Sequence, residues 1–193
     1  MKPNIVLIGA GGHANSVIDI LDICGSYNII GLVDSNFRTI KSLQGYPVVG
    51  SDEILPELKM EVDYAVITVG HIGNVGIRKH LFKLIQSLHF KIPVIISPYA
   101  YVSKTATISS GTVIHHGAIV NANAKIGMNC IINSRALVEH DACVGDNCHI
   151  STGAIVNGGV IVKEGVFLGS NATTKQGVVI PENIFVKAGS VYK

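Results

Sequence analysis

The fold is decided by residues 126–155, which read IGMNCI, INSRAL, VEHDAC, VGDNCH and ISTGAI when they are divided into groups of six. Every group begins with a bulky aliphatic residue, has a small residue at its fifth position, and places turn-forming or polar residues between the two. An α-helix repeats at 3.6 residues and a strand at two, so neither produces a period of six. A short strand followed by a corner does produce it, with the aliphatic and small side chains pointing inward.

The same repeat runs through the whole C-terminal half of the chain. Fourteen of the fifteen residues at every sixth position are aliphatic, and Thr174 is the exception. The positions are Val102, Ile108, Ile114, Val120, Ile126, Ile132, Val138, Val144, Ile150, Val156, Val162, Leu168, Thr174, Ile180 and Val186. Three groups close one triangular coil of eighteen residues, so the pattern predicts a parallel β-helix of five coils.

Residues eighteen apart are therefore expected to stack on neighbouring coils, about 4.7–4.9 Å apart. Cys130 and Cys148 have this spacing and both occupy the inward small position. We expect two buried thiols there, and a disulfide is the alternative that the spacing also allows.

The N-terminal half alternates strands with helices, which predicts a parallel sheet of the Rossmann type. The predicted elements are a strand over 4–9, a helix over 13–24, strands over 29–34 and 63–69, a helix over 74–88 and a strand over 91–95. We therefore expect two domains, a Rossmann-like domain over residues 1–97 and a β-helix over 98–193.

A glycine motif follows the first predicted strand, with Gly9, Gly11 and Ala14 in the spacing G-x-G-x-x-A. Such a loop lets backbone amides approach a phosphate at a helix N-terminus. Asp34 ends the next strand, where an acid can accept hydrogen bonds from a ribose or a base. The half is too small for a whole dinucleotide fold, so a mononucleotide or a sugar attached to one fits better. His13 would lie beside that ligand; a ligand-free turn and a solvent-facing histidine are the alternatives.

A candidate catalytic corner lies in the group that starts at Val138. His140 and Asp141 take corner positions, where a histidine can act as a general base and a carboxylate can orient it. A solvated corner histidine without a catalytic role is the alternative. Gly158 stacks on His140 one coil away and leaves backbone amides uncovered, as acyl transfer requires. His149 is half a coil from His140 and could meet it only across a subunit interface. We expect the remaining two histidines of this half, His115 and His116, to face solvent.

Composition narrows the function classes. The formal net charge is +2 with 15% charged residues and no basic stripe, which argues against nucleic acid as a partner. We expect neither a signal peptide nor a membrane span, and hence a cytoplasmic protein without membrane association. Cys143, Cys148 and His149 do not match zinc-ligand spacing, so no metal is expected.

The combination of motifs resembles the NeuD/PglD-type sugar acetyltransferases over essentially the whole chain. The resemblance is carried by GAGGH at residues 9–13, by EHD at 139–141 and by the hexapeptide repeat. It implies a left-handed β-helix and a homotrimer, with acetyl-CoA between neighbouring β-helices. It also implies that His140 is the base and that Asp141 increases its basicity. The family acid is commonly glutamate, and relatives often end in a longer tail than Tyr192-Lys193.

The resemblance also implies the ligand contacts. Those of acetyl-CoA fall on His149, Gly158, Ser170 and Ala188. Those of the sugar nucleotide fall on Gly11, Gly12, His13, Asp34, Ser35 and Gly70.

The expected function is acetyl-CoA-dependent N-acetylation of a UDP- or dTDP-linked 4-amino-4,6-dideoxy sugar, for surface polysaccharide or glycan synthesis. Two alternatives stay open on the sequence. One is O-acetylation of a sugar of the sialic acid type, since the same base would activate a hydroxyl. The other is a non-catalytic trimeric scaffold that binds sugar nucleotides. A nicotinamide oxidoreductase is disfavoured by the small N-terminal half.

Overall fold

The protein forms two compact units in a computed structural model that describes residues 2–193. The first unit comprises residues 2–70 and Gly76–Pro93, and the second comprises His71–Val75 and Val94–Lys193. The short segment His71–Val75 thus belongs to the second unit, although it precedes the last helix of the first. No helix among residues 2–193 is long and apolar enough to cross a bilayer.

The first unit is a Rossmann-like sheet with helices, as the sequence predicts. Its strands are β1 (Asn4–Ile8), β2 (Asn28–Val33), β3 (Ser42–Leu43), β4 (Tyr46–Gly50) and β5 (Tyr64–Ile67). Its helices are α1 (Gly12–Cys24), α2 (Leu55–Leu58) and α3 (Gly76–Ser87), with a 3₁₀ turn at Asp52–Ile54. The strand order is β3-β4-β2-β1-β5, parallel except for the β3–β4 pair.

The buried faces of β1 and α1 explain why this unit folds. Residues 5–8 of β1 are almost fully buried, as expected for a central parallel strand. In α1, Ala14, Val17 and Leu21 form one buried stripe. The helix ends at Gly25, which adopts a left-handed conformation (φ 59°) and donates its N–H to the Leu21 carbonyl at 2.9 Å.

Two parts of the first unit differ from the sequence prediction. The strand predicted over 91–95 is wrong, because only Lys91 bridges to Tyr64 while Ile95 begins the β-helix. Pro93 between them has no N–H to donate to a ladder, which ends the pairing. The antiparallel pair β3–β4 and the helix α2 were not predicted. The pair turns through Gln44 and Gly45, both at positive φ.

The second unit is a left-handed parallel β-helix, which confirms the predicted fold class. Its two-residue strands form three faces. The first face contains β6 (Ile95–Ile96), β9 (Val113–Ile114), β12 (Ile131–Ile132), β15 (His149–Ile150), β18 (Phe167–Leu168) and β21 (Phe185–Val186). The second face contains β7 (Tyr101–Val102), β10 (Ile119–Val120), β13 (Leu137–Val138), β16 (Ile155–Val156), β19 (Thr173–Thr174) and β22 (Val191–Tyr192). The third face contains β8 (Thr107–Ile108), β11 (Lys125–Ile126), β14 (Cys143–Val144), β17 (Ile161–Val162) and β20 (Val179–Ile180).

The stacking period is eighteen residues on every face. Leu137 pairs with Ile155 on the second face, and His149 pairs with Phe167 on the first. The repeated aliphatic and small residues fill the interior, where Cys130 and Cys148 are both fully buried free thiols. This arrangement fixes which residues share a corner, and thereby the position of every candidate site in the second unit.

Candidate active site

The ring of His140 lies at the corner between the second and third faces, beside Asp141. Its Nδ1 donates a hydrogen bond to Asp141 Oδ2 at 2.9 Å. Both side chains are more than half exposed, at 58% and 59%. Because Nδ1 carries the proton in this bond, the neutral ring presents its lone pair at Nε2. A histidine in this tautomer can accept a proton from a substrate at Nε2.

Electrostatics at this corner favour that role. The hydrogen bond that His140 donates to Asp141 raises the pKa of His140, against a smaller lowering by desolvation, and the nearby charges of Asp141 and Glu139 raise it further. The same bond, together with one from Asn123, lowers the pKa of Asp141. The carboxylate therefore stays ionised while it supports the imidazole, since an opposite charge nearby favours the charged form of each partner.

Asp141 replaces the glutamate that is common in the resembling family, and the corner accommodates the shorter acid. Asp141 lies in the left-handed region with φ 59°. Aspartate and asparagine tolerate this region better than most residues other than glycine, and their short side chains bond to nearby groups. The 2.9 Å contact shows that the shorter chain still reaches the ring of His140.

Gly158 stacks directly on the His140 ring, as the eighteen-residue period predicts. A Cβ added at Gly158 would lie 2.9 Å from both Cε1 and Nε2 of His140. The neighbouring Gly159 donates its N–H to the carbonyl of His140 at 3.0 Å. The missing side chain of Gly158 thus provides the space in which the ring sits.

His149 lies on the first face in a buried aromatic cluster, and the residue is only 8% exposed. Its Nδ1 donates to the carbonyl of His71 at 2.8 Å, and Asn133 Nδ2 donates to its Nε2 at 3.0 Å. The ring also makes edge contacts with His71 and Phe167. These contacts fix the tautomer of His149 and tie the segment His71–Val75 to the β-helix.

The predicted acetyl-CoA residues divide into two groups within one chain. Ser170 and Ala188 lie on the corner between the first and second faces, next to the face that carries His149. Ser170 is half-buried with its hydroxyl 3.0 Å from Ser151 Oγ, whereas Ala188 is exposed. Gly158 lies with His140 on the opposite side of the second face. One chain therefore does not bring all four residues together.

The glycine loop of the first unit is exposed at the start of α1. Gly11 and Gly12 are exposed, and added Cβ atoms there would meet nothing within 4 Å, so a ligand can approach this part of the backbone closely. The helix begins at Gly12, where the positive end of its dipole favours a phosphate. His13 is half-buried in the first turn, and a Cβ on Gly70 would lie 3.4 Å from the Cβ of His13.

Asp34 follows the end of β2, and its side chain bonds to the glycine loop that follows β1. Its Oδ2 accepts the N–H of Ala10 and its Oδ1 accepts the N–H of Asn36, each at 2.8 Å. Ser35 is exposed next to it. Each carboxylate oxygen keeps a further lone pair with which to meet a ligand hydroxyl.

The prediction that both His115 and His116 face solvent is wrong for His115, which is 1% exposed. Its side chain belongs to a column, eighteen residues apart, in which Ser97 and Ser151 are also buried. The repeat predicts that His115 lies at a corner, but it does not predict which residues cover its side chain. His116 is half-buried, and its Nδ1 lies 2.6 Å from Ser97 Oγ.

Three residues that contact predicted site residues were not singled out from the sequence: Asn123 bonds to Asp141, whereas Asn133 and His71 bond to His149. The eighteen-residue period could have indicated Asn123, since it stacks on Asp141. The period gives no signal for His71, which lies outside the repeat. Residues 2–193 contain no group of three or more His, Cys, Asp or Glu side chains arranged to hold a metal ion.

A left-handed β-helix of six-residue repeats joined to a Rossmann-like unit is an architecture found among the hexapeptide-repeat acyltransferases. Residues 4–85 match the PglD N-terminal domain. The UDP-N-acetylbacillosamine N-acetyltransferase of Bacillus subtilis (strain 168) is 32% identical over 111 residues, which are 58% of this chain and 50% of that protein. The chain thus spans about half the length of the curated relative it matches.

Solved structures match over the whole chain. A histidine-to-alanine mutant of GDP-perosamine N-acetyltransferase from Caulobacter crescentus, in complex with CoA and GDP-perosamine, superposes with a TM-score of 0.93 at 32% identity, covering 100% of this chain and 90% of that one. The acetyltransferase domain of PglB from Neisseria gonorrhoeae FA1090, in complex with acetyl coenzyme A, gives 0.91 at 32% identity, covering 98% and 90%. The chain belongs to the NeuD/PglD-type family of sugar acetyltransferases.

Proposed function

We propose that the protein transfers an acetyl group from acetyl-CoA to an amine of a nucleotide-linked amino sugar, with His140 as the general base. The observation that supports this most directly is the exposed His140 ring, whose Nδ1 is held by Asp141 and whose Nε2 is the remaining basic position. A UDP- or dTDP-linked 4-amino-4,6-dideoxy sugar is the proposed acceptor. The names of the two relatives above contain a UDP-linked and a GDP-linked sugar, so GDP-linked amino sugars should be included among the substrates tested.

In the proposed reaction, the amine nitrogen attacks the carbonyl carbon of the thioester while His140 Nε2 takes a proton from the amine. The tetrahedral oxyanion is stabilised by a backbone N–H, for which Gly158 is the proposed donor. The carbon–sulfur bond then breaks, and the imidazolium returns its proton to the leaving thiolate. The products are the amide and free coenzyme A, so protons and electrons balance without a metal or a redox partner.

The first unit is proposed to hold the nucleotide sugar. The exposed backbone at Gly11 and Gly12 and the N-terminus of α1 suit a diphosphate. His13 and Gly70 border the same loop, and Asp34 and Ser35 lie at the end of β2, where a ribose or a base would bind.

We propose a homotrimer in which the second faces surround a threefold axis. Three outward side chains on this face, Tyr101, Ile119 and Val191, are apolar and exposed. Around such an axis, the corner that carries His140 in one subunit adjoins the corner that carries Ser170 and Ala188 in the next. This arrangement would complete the acetyl-CoA site that one chain leaves divided, and light scattering that returns the mass of a monomer would contradict it.

The deciding experiment measures thiol release from acetyl-CoA with a panel of UDP-, dTDP- and GDP-linked 4-amino sugars and their 4-hydroxy counterparts. We expect release with an amino sugar and a loss of about 10²–10⁴-fold in kcat for His140→Ala. Because His140 is exposed, its truncation leaves no buried cavity, and the melting temperature should be unchanged. His80→Ala, an exposed histidine on α3, is the matched control.

Each outcome assigns a cause. Wild-type turnover by His140→Ala would refute the base. Preference for the hydroxyl sugars would replace N-acetylation by O-acetylation. An absence of acetyl-CoA binding in calorimetry would indicate the non-catalytic scaffold.

A further inference from the structure

We propose that Asn123 is a positioning residue that holds the carboxylate of Asp141 in the orientation His140 needs. Asn123 Nδ2 donates to Asp141 Oδ1 at 3.1 Å, while Asp141 Oδ2 accepts from His140 Nδ1 at 2.9 Å. Both oxygens of the acid are therefore engaged, one by the base and one by Asn123. The inference rests on the proposed function, because it concerns the same base.

Asn123 reaches Asp141 because the two residues stack at one corner of neighbouring coils. The column at eighteen-residue spacing consists of Thr105, Asn123, Asp141, Gly159 and Gly177. The backbone N–H of Asn123 donates to Thr105 Oγ1 at 3.0 Å, which anchors the residue from the other side. Its side-chain amide must turn Nδ2 toward Asp141, since its oxygen would face another acceptor.

An exposed carboxylate without such a partner would rotate among its staggered conformers. Asp141 is 59% exposed, so neighbouring side chains do not confine it by packing. The bond from Asn123 favours the one conformer in which Oδ2 faces the ring. Hydrogen bonds to charged acceptors are stronger than neutral ones, which suits a contact that works in solvent.

The second acid beside His140 is held in the same way. Asn121 Nδ2 donates to Glu139 Oε2 at 2.9 Å, and that oxygen also accepts the backbone N–H of His140 at 3.2 Å. Two asparagines of one coil thus bind the two carboxylates that flank the histidine of the next coil. Only Asp141 contacts the ring, so Asn123 is the one that acts on the basic group.

The charged groups that act on the His140 pKa are Asp141 and Glu139. The coil positions that stack on His140 are Ala122 on one side and Gly158 on the other, and neither ionises. A change in the orientation of Asp141 should therefore be visible in the titration of His140.

A purely structural role for Asn123 is the competing explanation. Asn123 has φ 59°, and asparagines with similar φ occupy other corners of the β-helix, including Asn183 with φ 58°. Glycine adopts the same conformation without strain, and it does so at Gly159 and Gly177 in the same column. Asn123→Gly therefore removes the amide while preserving the turn, and Asn183→Gly is the matched control at a different corner.

The test compares the pH dependence of kcat for the wild type, Asn123→Gly and Asn183→Gly, with the nucleotide sugar that supports the fastest thiol release. For Asn123→Gly we expect kcat to fall about three- to tenfold, with the KM of both substrates unchanged. The acidic limb should move to lower pH, because a loosened Asp141 raises the pKa of His140 less. Asn183→Gly should match the wild type in both respects.

A double-mutant cycle with Asp141→Gly isolates the route of the effect. If Asn123 acts through Asp141, then Asn123→Gly should cost nothing further in the Asp141→Gly background. Independent, multiplying losses would overturn the inference, as would an unshifted acidic limb in the single mutant. Full activity of His140→Ala would instead refute the proposed base, so the two failures are distinguishable.

Discussion

Replacing Gly158 by alanine tests whether the space that its missing side chain leaves for the His140 ring is needed for activity. The added Cβ would lie 2.9 Å from two atoms of the imidazole, whereas ordinary contacts of this kind begin at 3.4 Å. The ring must therefore retreat by about 0.5 Å or tilt away from the stack. Either movement strains the 2.9 Å hydrogen bond between Nδ1 and Asp141.

We expect the Gly158→Ala enzyme to lose about tenfold in kcat or more, since misplacing a reacting group by about 1 Å can cost roughly 10²-fold. Alanine keeps the backbone N–H, so the loss would report displacement of the ring rather than removal of an oxyanion donor. Thiol release under saturating substrates is the assay. The melting temperature should change little, because His140 is exposed and can move into solvent.

Gly177→Asn is the matched control, because a side chain there enters open space and asparagine suits the positive φ of 70°. It should retain wild-type turnover. Wild-type kcat for Gly158→Ala would refute the reasoning, since the ring would then function equally well in a displaced position.

Two further predictions concern charge and burial. Asp141→Asn should shift the acidic limb of the pH profile of kcat to lower pH and reduce the plateau, because Asp141 raises the pKa of His140 and the base must be unprotonated. An unchanged acidic limb would show that the His140–Asp141 pair does not govern the pH dependence of kcat. In native protein, a thiol reagent should modify the partly exposed Cys24 and Cys143, whereas the buried Cys130 and Cys148 should react only in denaturant. The hydrogen bond with Cys130, and then burial, raise the pKa of Cys148, which keeps its thiol unreactive. Rapid labelling of all four cysteines in native protein would contradict the packed interior.

The β-helix was predictable because its signal is periodic and redundant. Each aliphatic position indicates the same inward face, so the single polar substitution at Thr174 did not obscure the pattern. The first strand of the β-helix, Ile95–Ile96, was not predicted as part of it, although Ile96 lies six residues before Val102 and so fits the repeat. Pro93 and Pro98 flank it, and the repeat there has only one neighbouring coil to support the assignment.

The first unit was less predictable because its short elements depend on tertiary packing. The β3–β4 hairpin turns at Gln44-Gly45, and glutamine is an unusual residue for the positive φ that such a turn requires. Asn-Gly or Asp-Gly would have signalled the hairpin from sequence alone. The prediction that His115 faces solvent was wrong for a related reason, since a repeat fixes the register of a residue but not the neighbours that cover its side chain.

The candidate site shows the same division between register and chemistry. Spacing alone placed Gly158 on His140, and the structure adds the consequence that any larger residue would displace the ring. Spacing equally places Asn123 on Asp141, but its meaning depends on which atoms meet. An amide nitrogen directed at a carboxylate orients the acid, whereas an amide oxygen in that place would repel it.

The aspartate at position 141 follows from the corner that carries it. The residue there must adopt a left-handed conformation, which asparagine and aspartate tolerate, and it must bring a negative charge next to the adjacent ring. A short acid meets both requirements, but its reach is fixed by the backbone. Because its exposed side chain is free to rotate, this acid gains from a partner that selects one conformer, and Asn123, one coil away at the same φ of 59°, is the side chain in place to do so.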